Sequence, residues 1–238
     1  IVYIFVGFLM FYIWPTFQDR IFKFGQLIAS SGYGGTFVYG IVKRALVPFG
    51  LHHVFYMPFY QTAIGGTLEV NGVLIDGAQN IFFAQLADPN LKHFSVEATK
   101  YFSGEYMIMM FGLPGAALAM YRSAKDESKK VVRSLFLSAA LTSMLTGITE
   151  PIEFAFIFVA PMLFVVDVFL AGTAFVLAQA LRVTIGFTFS CGLIDFLVFG
   201  VLQGNSKTHW IFIVIFGLIY FFLYYLSLIH ISEPTRQE

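Results

Sequence analysis

The chain has 238 residues, of which 58% are hydrophobic and only 12% charged, with 14 basic residues balanced by 14 acidic ones. A soluble domain carries about 25% charge, so this composition and a mean hydropathy of +0.78 point to an integral membrane protein, and the zero formal charge gives no footing for nucleic acid. The single cysteine, Cys191, excludes an internal disulfide and any multi-cysteine metal site.

In chain order, residues 1–14 are apolar and predict the end of a membrane helix, followed by a polar turn over 15–23 that opens with Pro15. Residues 24–49 are moderately apolar, rich in glycine, and carry Lys43 and Arg44. Pro48 and Gly50 break this run just before Leu51-His52-His53. Residues 54–66 are aromatic-rich, with Pro58 inside and Gly65-Gly66 as a stop. The longest polar stretch is 67–103. Connections beyond about 12–15 residues without structure of their own are uncommon, so this stretch is expected to be partly folded or functional.

Residues 104–120 predict a membrane helix interrupted at Gly112-Leu113-Pro114-Gly115. Residues 121–133 hold Arg122, Lys125, Lys129, Lys130 and Arg133, the basic excess expected of a cytoplasmic loop. Residues 134–146 fall short of the roughly 17–25 residues that a crossing needs. Apolar blocks follow at 152–166, 168–181, 183–202 and 210–225, with Gln203-Gly204-Asn205 as a turn between the last two. Short blocks favour tilted or re-entrant elements over a simple serpentine. The expected fold is therefore all-α and integral to the membrane, a polytopic helical bundle with re-entrant hairpins and no clear internal repeat. The chain begins inside an apolar run, and residues 226–238 read like a translated sequencing adapter. The chain is thus expected to be a fragment with a non-native tail.

The chemistry concentrates in Gly147-Ile148-Thr149-Glu150-Pro151-Ile152-Glu153-Phe154. Ionisable groups in a bilayer are costly and mark binding sites, ion paths or paired networks. The residue before a proline avoids the helical conformation, and broken backbone at membrane depth must be buried in protein or line a cavity. Glu150 can accept hydrogen bonds from hydroxyls and act as a general base, with the Thr149 hydroxyl beside it. Structural pairing or capping competes with that role, most strongly for Glu153, which lies early in the following helix. His52 is the better placed of two histidines to meet a ligand, since adjacent side chains do not share a helix face; His53 is the second candidate. Arg44 is read as steering a polar or anionic group, Lys43 beside it as reaching the headgroups. Gln61 and Thr62 are further candidate donors. Asp167, Arg182 and Asp195 are read as structural, Arg182 pairing with either acid. Cys191 is read as a small packing residue, and no metal-ligand spacing surrounds the histidines.

These residues together resemble the membrane IIC component of the bacterial sugar phosphotransferase system, in the glucose superfamily. The run from Gly147 to Phe154, continuing to Val159-Ala160-Pro161, carries the most specific likeness. Pro48-Phe49-Gly50-Leu51-His52-His53 and Gly192-Leu193-Ile194-Asp195-Phe196 add two more. Val54-Phe55-Tyr56-Met57-Pro58 and Asn80-Ile81-Phe82-Phe83 look most like the maltose/glucose branch. The resemblance implies a homodimer of ten-helix subunits with two re-entrant hairpins, multi-pass in the bacterial inner (cytoplasmic) membrane. Residues 1–23 would end the dimerisation half and 24–225 would form the sugar-binding domain. It implies Glu150 as catalytic base for the hydroxyl that becomes phosphorylated, with His52 and Arg44 as further sugar-site residues; His53, Gln61, Thr149 and Glu153 remain candidates from their own chemistry. The phosphocysteine donor would lie on a separate IIB domain or subunit, and no cofactor is called for. Rival readings are an ion-coupled secondary sugar transporter, a sugar sensor that does not transport, and a truncated chain with no function.

Overall fold

The computed structural model describes residues 2–124, 129–159 and 161–232. Part of the basic loop expected over 121–133, Ala160 of the Val159-Ala160-Pro161 run, and positions 233–238 of the expected tail lie outside the described residues.

The first helix, α1 (Val2–Ser30), runs straight through the turn expected at 15–23. Proline is tolerated inside membrane helices because neighbouring groups satisfy the carbonyl it leaves free. An Asp19–Lys23 ion pair of 2.8 Å, with i,i+4 spacing, supports the same turn. Gly32, at φ +55, ends α1 and starts α2 (Gly32–Ala45). Gly35 lets the two helices meet, since a Cβ there would lie 1.8 Å from the carbonyl oxygen of Ile28. A single 3-10 turn (Val47–Phe49) and Gly50, in the left-handed conformation, then redirect the chain into α3 (His52–Gln61). The break expected from Pro48 and Gly50 is thus present.

The long polar stretch is indeed folded. Strands β1 (Thr67–Val70) and β2 (Val73–Asp76) pair antiparallel, with Val70 opposite Val73. Asn71 and Gly72 both have positive φ, the signature of a tight two-residue hairpin turn. Helices α4 (Ala78–Leu86) and α5 (Val96–Thr99) follow. The hairpin is a small departure from an all-helical expectation; the protein is otherwise mostly helical.

The interruption expected at Gly112-Leu113-Pro114-Gly115 is a widening and not a break. A short α6 (Glu105–Met107) passes through a π turn (Ile108–Gly112) into α7 (Leu113–Ser123). A proline lacks the N–H that the preceding turn would receive, and the π turn absorbs the loss. The two glycines serve packing, since a Cβ on Gly112 would lie 2.8 Å from the Tyr224 ring and one on Gly115 2.4 Å from the carbonyl oxygen of Phe221. Small residues let membrane helices approach closely.

Next come α8 (Lys129–Thr146), α9 (Glu150–Val159) and α10 (Pro161–Ala180). The block expected at 183–202 is not one helix. Val183–Phe187 has no regular secondary structure and is buried, and side chains satisfy part of its backbone. Ser103 bonds both the N–H and the C=O of Ile185 at 3.1 Å, and Tyr106 donates to the Gly186 carbonyl at 2.6 Å. A short α11 (Leu193–Asp195), a second π turn (Phe196–Val201) and α12 (Asn205–Thr208) lead to α13 (Ile211–Ser232). Helix α13 continues through position 226, where the tail was expected to begin.

Among the described residues, Pro161–Ala180 and Ile211–His230 are long and apolar enough to cross a membrane. Helix α10 packs along α2 and, through Thr173–Tyr220, against α13. An aromatic core of Tyr39, Phe59, Tyr101 and Phe175 locks α2, α3 and α10 together, with ring centroids 4.8–5.5 Å from Tyr39. This scaffold sets the ends of α2, α3, α6 and α9 around one cavity.

Candidate functional site

The cavity measures about 210 Å³ and is bounded by α2, α3, α6, α10, the 147–150 link and the 187–190 segment. Its floor depends on a tight backbone crossing. Gly147 has φ +73, and its carbonyl accepts from the Ser190 hydroxyl at 2.9 Å. A Cβ on Gly192 would stand 2.6 Å from the Gly147 nitrogen. The 188–190 loop is shaped by Asp195, whose carboxylate accepts from the N–H groups of Thr188, Phe189 and Ser190 at 3.0, 3.1 and 3.2 Å, and from the Thr188 hydroxyl.

Glu150 opens α9, where the exposed N–H groups of the first turn favour negative charge. Its Oε2 is buried and has no hydrogen-bond partner among the described residues. The same holds for Nδ1 of His52, in the first turn of α3. Thr149 is buried on the cavity wall, and its carbonyl receives the N–H groups of Ile152 and Glu153 that start the helix. His53 also lines the cavity, with Nδ1 2.6 Å from the Tyr56 hydroxyl. Both histidines therefore reach the wall, where adjacency had suggested one; the first turn of α3 enters end-on and exposes both rings, whose centroids are 4.0 Å apart.

Two ionic clusters flank these groups. In one, Arg44 Nη1 lies 2.7 Å from Glu153 Oε1 and Nε lies 2.8 Å from Asp167 Oδ2, while Tyr224 donates to Asp167 Oδ1 at 2.6 Å. In the other, Lys43 Nζ lies 2.6 Å from Glu105 Oε1 and donates to the Tyr60 hydroxyl at 2.7 Å. The Cys191 thiol points at Glu105 Oε2 from 3.4 Å; Cys191 is fully buried, as a packing residue should be.

Of the residues singled out from sequence, Arg44, His52, His53, Thr149 and Glu150 come together here. Glu153 does not reach the cavity; it is 1% exposed and held against Arg44. Gln61 sits at the far end of α3, bonded to Gln79 at 3.0 Å and facing a separate apolar pocket beside Trp14, which Thr62 shares. Arg182 is exposed, and Asp167 and Asp195 are occupied by other partners, so the pairing expected for Arg182 does not form. Sequence reasoning missed Glu105, Tyr56 and the inward role of Lys43. Glu105 carried a usable signal, an ionisable residue at the head of an apolar run.

Acceptors, donors and aromatic faces (Tyr56, Phe175, Phe187) thus meet in one enclosure. That combination suits a neutral, hydroxyl-rich ligand, whose hydroxyls pair with the polar atoms and whose C–H faces lie on the rings. Among the described residues no group of His, Cys, Asp and Glu is arranged to hold a metal ion.

Residues 1–172 match the family described as Phosphotransferase system, EIIC. The chain is 45% identical, over 92% of its length, to the PTS system glucose-specific EIICBA component of Staphylococcus saprophyticus subsp. saprophyticus, of which it covers 32%. It is equally identical, over 93% of its length, to the glucose-specific EIICBA component of Staphylococcus carnosus, of which it also covers 32%. With the glucoside-specific EIICBA component of Staphylococcus carnosus it shares 42% identity over its whole length and 34% of that protein. The chain spans about a third of the length of these curated relatives.

Proposed function

The chain belongs to the phosphotransferase system EIIC family, and from that premise we propose that it is the sugar-holding membrane part of a permease that phosphorylates its sugar during transport. The observation that carries this reading is that the buried Glu150 Oε2 and His52 Nδ1, on residues lining one cavity, have no hydrogen-bond partner among the described residues. Buried polar atoms are almost always hydrogen-bonded, and a sugar hydroxyl between them supplies both partners. The relatives named for glucose and for glucosides favour a hexopyranose, in keeping with the maltose/glucose branch.

The sugar binds with one hydroxyl against Glu150. A phosphocysteine on a IIB domain or subunit approaches from the cytoplasm. Its S–P bond breaks with the electron pair staying on sulfur, an O–P bond forms to the sugar, and the hydroxyl proton passes to the Glu150 carboxylate. Such transfers depend on positioning and charge stabilisation. The anionic product then leaves inward.

In this reading the chain is multi-pass in the bacterial cytoplasmic membrane, with α10 and α13 crossing it and the non-helical 183–192 segment as the core of a re-entrant element. Residues 1–23 belong to the scaffold half of a ten-helix homodimer and 24–225 to the sugar domain.

The test is sugar-phosphate formation by the full-length permease in vesicles, with phosphorylated IIB supplied. Glu150→Gln is expected to slow it by roughly 10²–10⁴-fold, the worth of a general base, without unfolding the protein. Sugar that enters unphosphorylated and follows an ion gradient would replace this reading with a secondary transporter.

A further inference from the structure

An ionised carboxylate offers about four lone-pair positions and a lysine ammonium three N–H donors. Glu105 gives one oxygen to Lys43 and, among the described residues, receives on the other only the thiol of Cys191, a weak donor, at 3.4 Å. Lys43 spends one N–H on Glu105 and one on Tyr60. Each partner keeps hydrogen-bonding capacity, and both line the cavity that holds Glu150 and His52. The Tyr56 ring, its centroid 4.7 Å from Lys43 Nζ, steadies the ammonium on the cavity side. A buried ion pair gains little stability over packed apolar side chains. One that borders an enclosed polar cavity in a membrane protein marks a place where a ligand is handled.

We infer that Lys43 and Glu105 form a second hydroxyl-recognition wall of the sugar site, which decides which sugars are accepted. Glu105 accepts from one ring hydroxyl and Lys43 donates to its neighbour. Their charged atoms, 2.6 Å apart, present an acceptor and a donor side by side, as a vicinal diol requires. Glu150, on a different element, handles the reacting hydroxyl. This inference rests on the proposed sugar site and adds the part that reads the sugar's pattern of hydroxyls.

The experiment is equilibrium binding of glucose, and of glucose with each hydroxyl replaced in turn by hydrogen, to the purified full-length permease. In the wild type, two neighbouring deoxy positions are expected to weaken binding by at least about tenfold, the worth of a hydrogen bond to a charged group. In Glu105→Gln, glucose itself binds about tenfold more weakly, and the penalty at one of those two positions disappears while the others stay. Glu105→Asp keeps the charge beside Lys43 and guards against a folding defect; the same single penalty is expected to shrink. Deoxy penalties that are identical in wild type and both variants would overturn the inference. Glu150→Gln separates the two ideas. A permease that binds glucose and loses phosphorylation in Glu150→Gln, but keeps every deoxy penalty in the Glu105 variants, leaves the proposed function standing and removes only this wall. No glucose binding by the wild type would remove both.

Discussion

Lys43 and Arg44 are neighbours in sequence and equally buried, at 5% exposure each, yet they build opposite kinds of site. Successive residues on a helix point about 100° apart, so α2 sends Arg44 toward α9 and α10 and Lys43 toward α6 and α3. Arg44 meets two carboxylates that are shut away from the cavity, one of them tied down again by Tyr224. Lys43 meets one carboxylate at the cavity edge. The same kind of charge in the same helix is a weld in one direction and an open hand in the other. What separates them is where the partner carboxylates lie, since Glu105 lines the cavity and Glu153 and Asp167 do not.

Substitutions can break this contrast. Arg44→Met leaves Glu153 and Asp167 buried without their cation and is expected to cost about 3–5 kcal/mol, read as a large drop in the unfolding temperature of the detergent-solubilised protein. Lys43→Met strands only Glu105, which borders the cavity and can be hydrated, so a smaller loss of about 1–3 kcal/mol is expected in the same assay. Equal losses would erase the distinction between closed and open clusters. Tyr224→Phe removes one donor from Asp167 while Arg44 remains, and about 0.5–1.5 kcal/mol should be lost, with sugar affinity kept. The smallest effect is expected for Gln61→Ala. Neither Gln61 nor its partner Gln79 lines the cavity, so stability should stay within about 0.5 kcal/mol, and a changed sugar affinity would tie Gln61 to the site.

Parts of the fold were legible because their physics is local. The break at Pro48 and Gly50 and the turn at Gly204 follow from residues that favour unusual φ, and both are present. The Asn71-Gly72 hairpin is equally local, flanked by Val70 and Val73, although length and polarity predict no more than a partly folded or functional stretch over 67–103. Pro15 misled in the other direction, since a proline within a long apolar helix is compatible with continuation. At 183–192 hydropathy found a buried apolar segment but could not find its shape. A non-helical segment is possible there because Ser103 and Tyr106, some eighty residues earlier in the chain, satisfy part of its backbone.

The candidate site divides along the same line. Composition pointed to a membrane protein, and Arg44, His52 and the run from Gly147 to Phe154 stood out as candidates for a polar site, because the cost of placing charge in an apolar setting can be read one residue at a time. The fate of each charge could not be read that way. Arg44 and Asp167 lie 123 positions apart, and Lys43 finds Glu105 across α3, the β1–β2 hairpin, α4 and α5. Pairing depends on which helix faces meet. Folding therefore sealed Glu153 behind Arg44, carried Gln61 to another pocket, and brought Glu105 to the cavity.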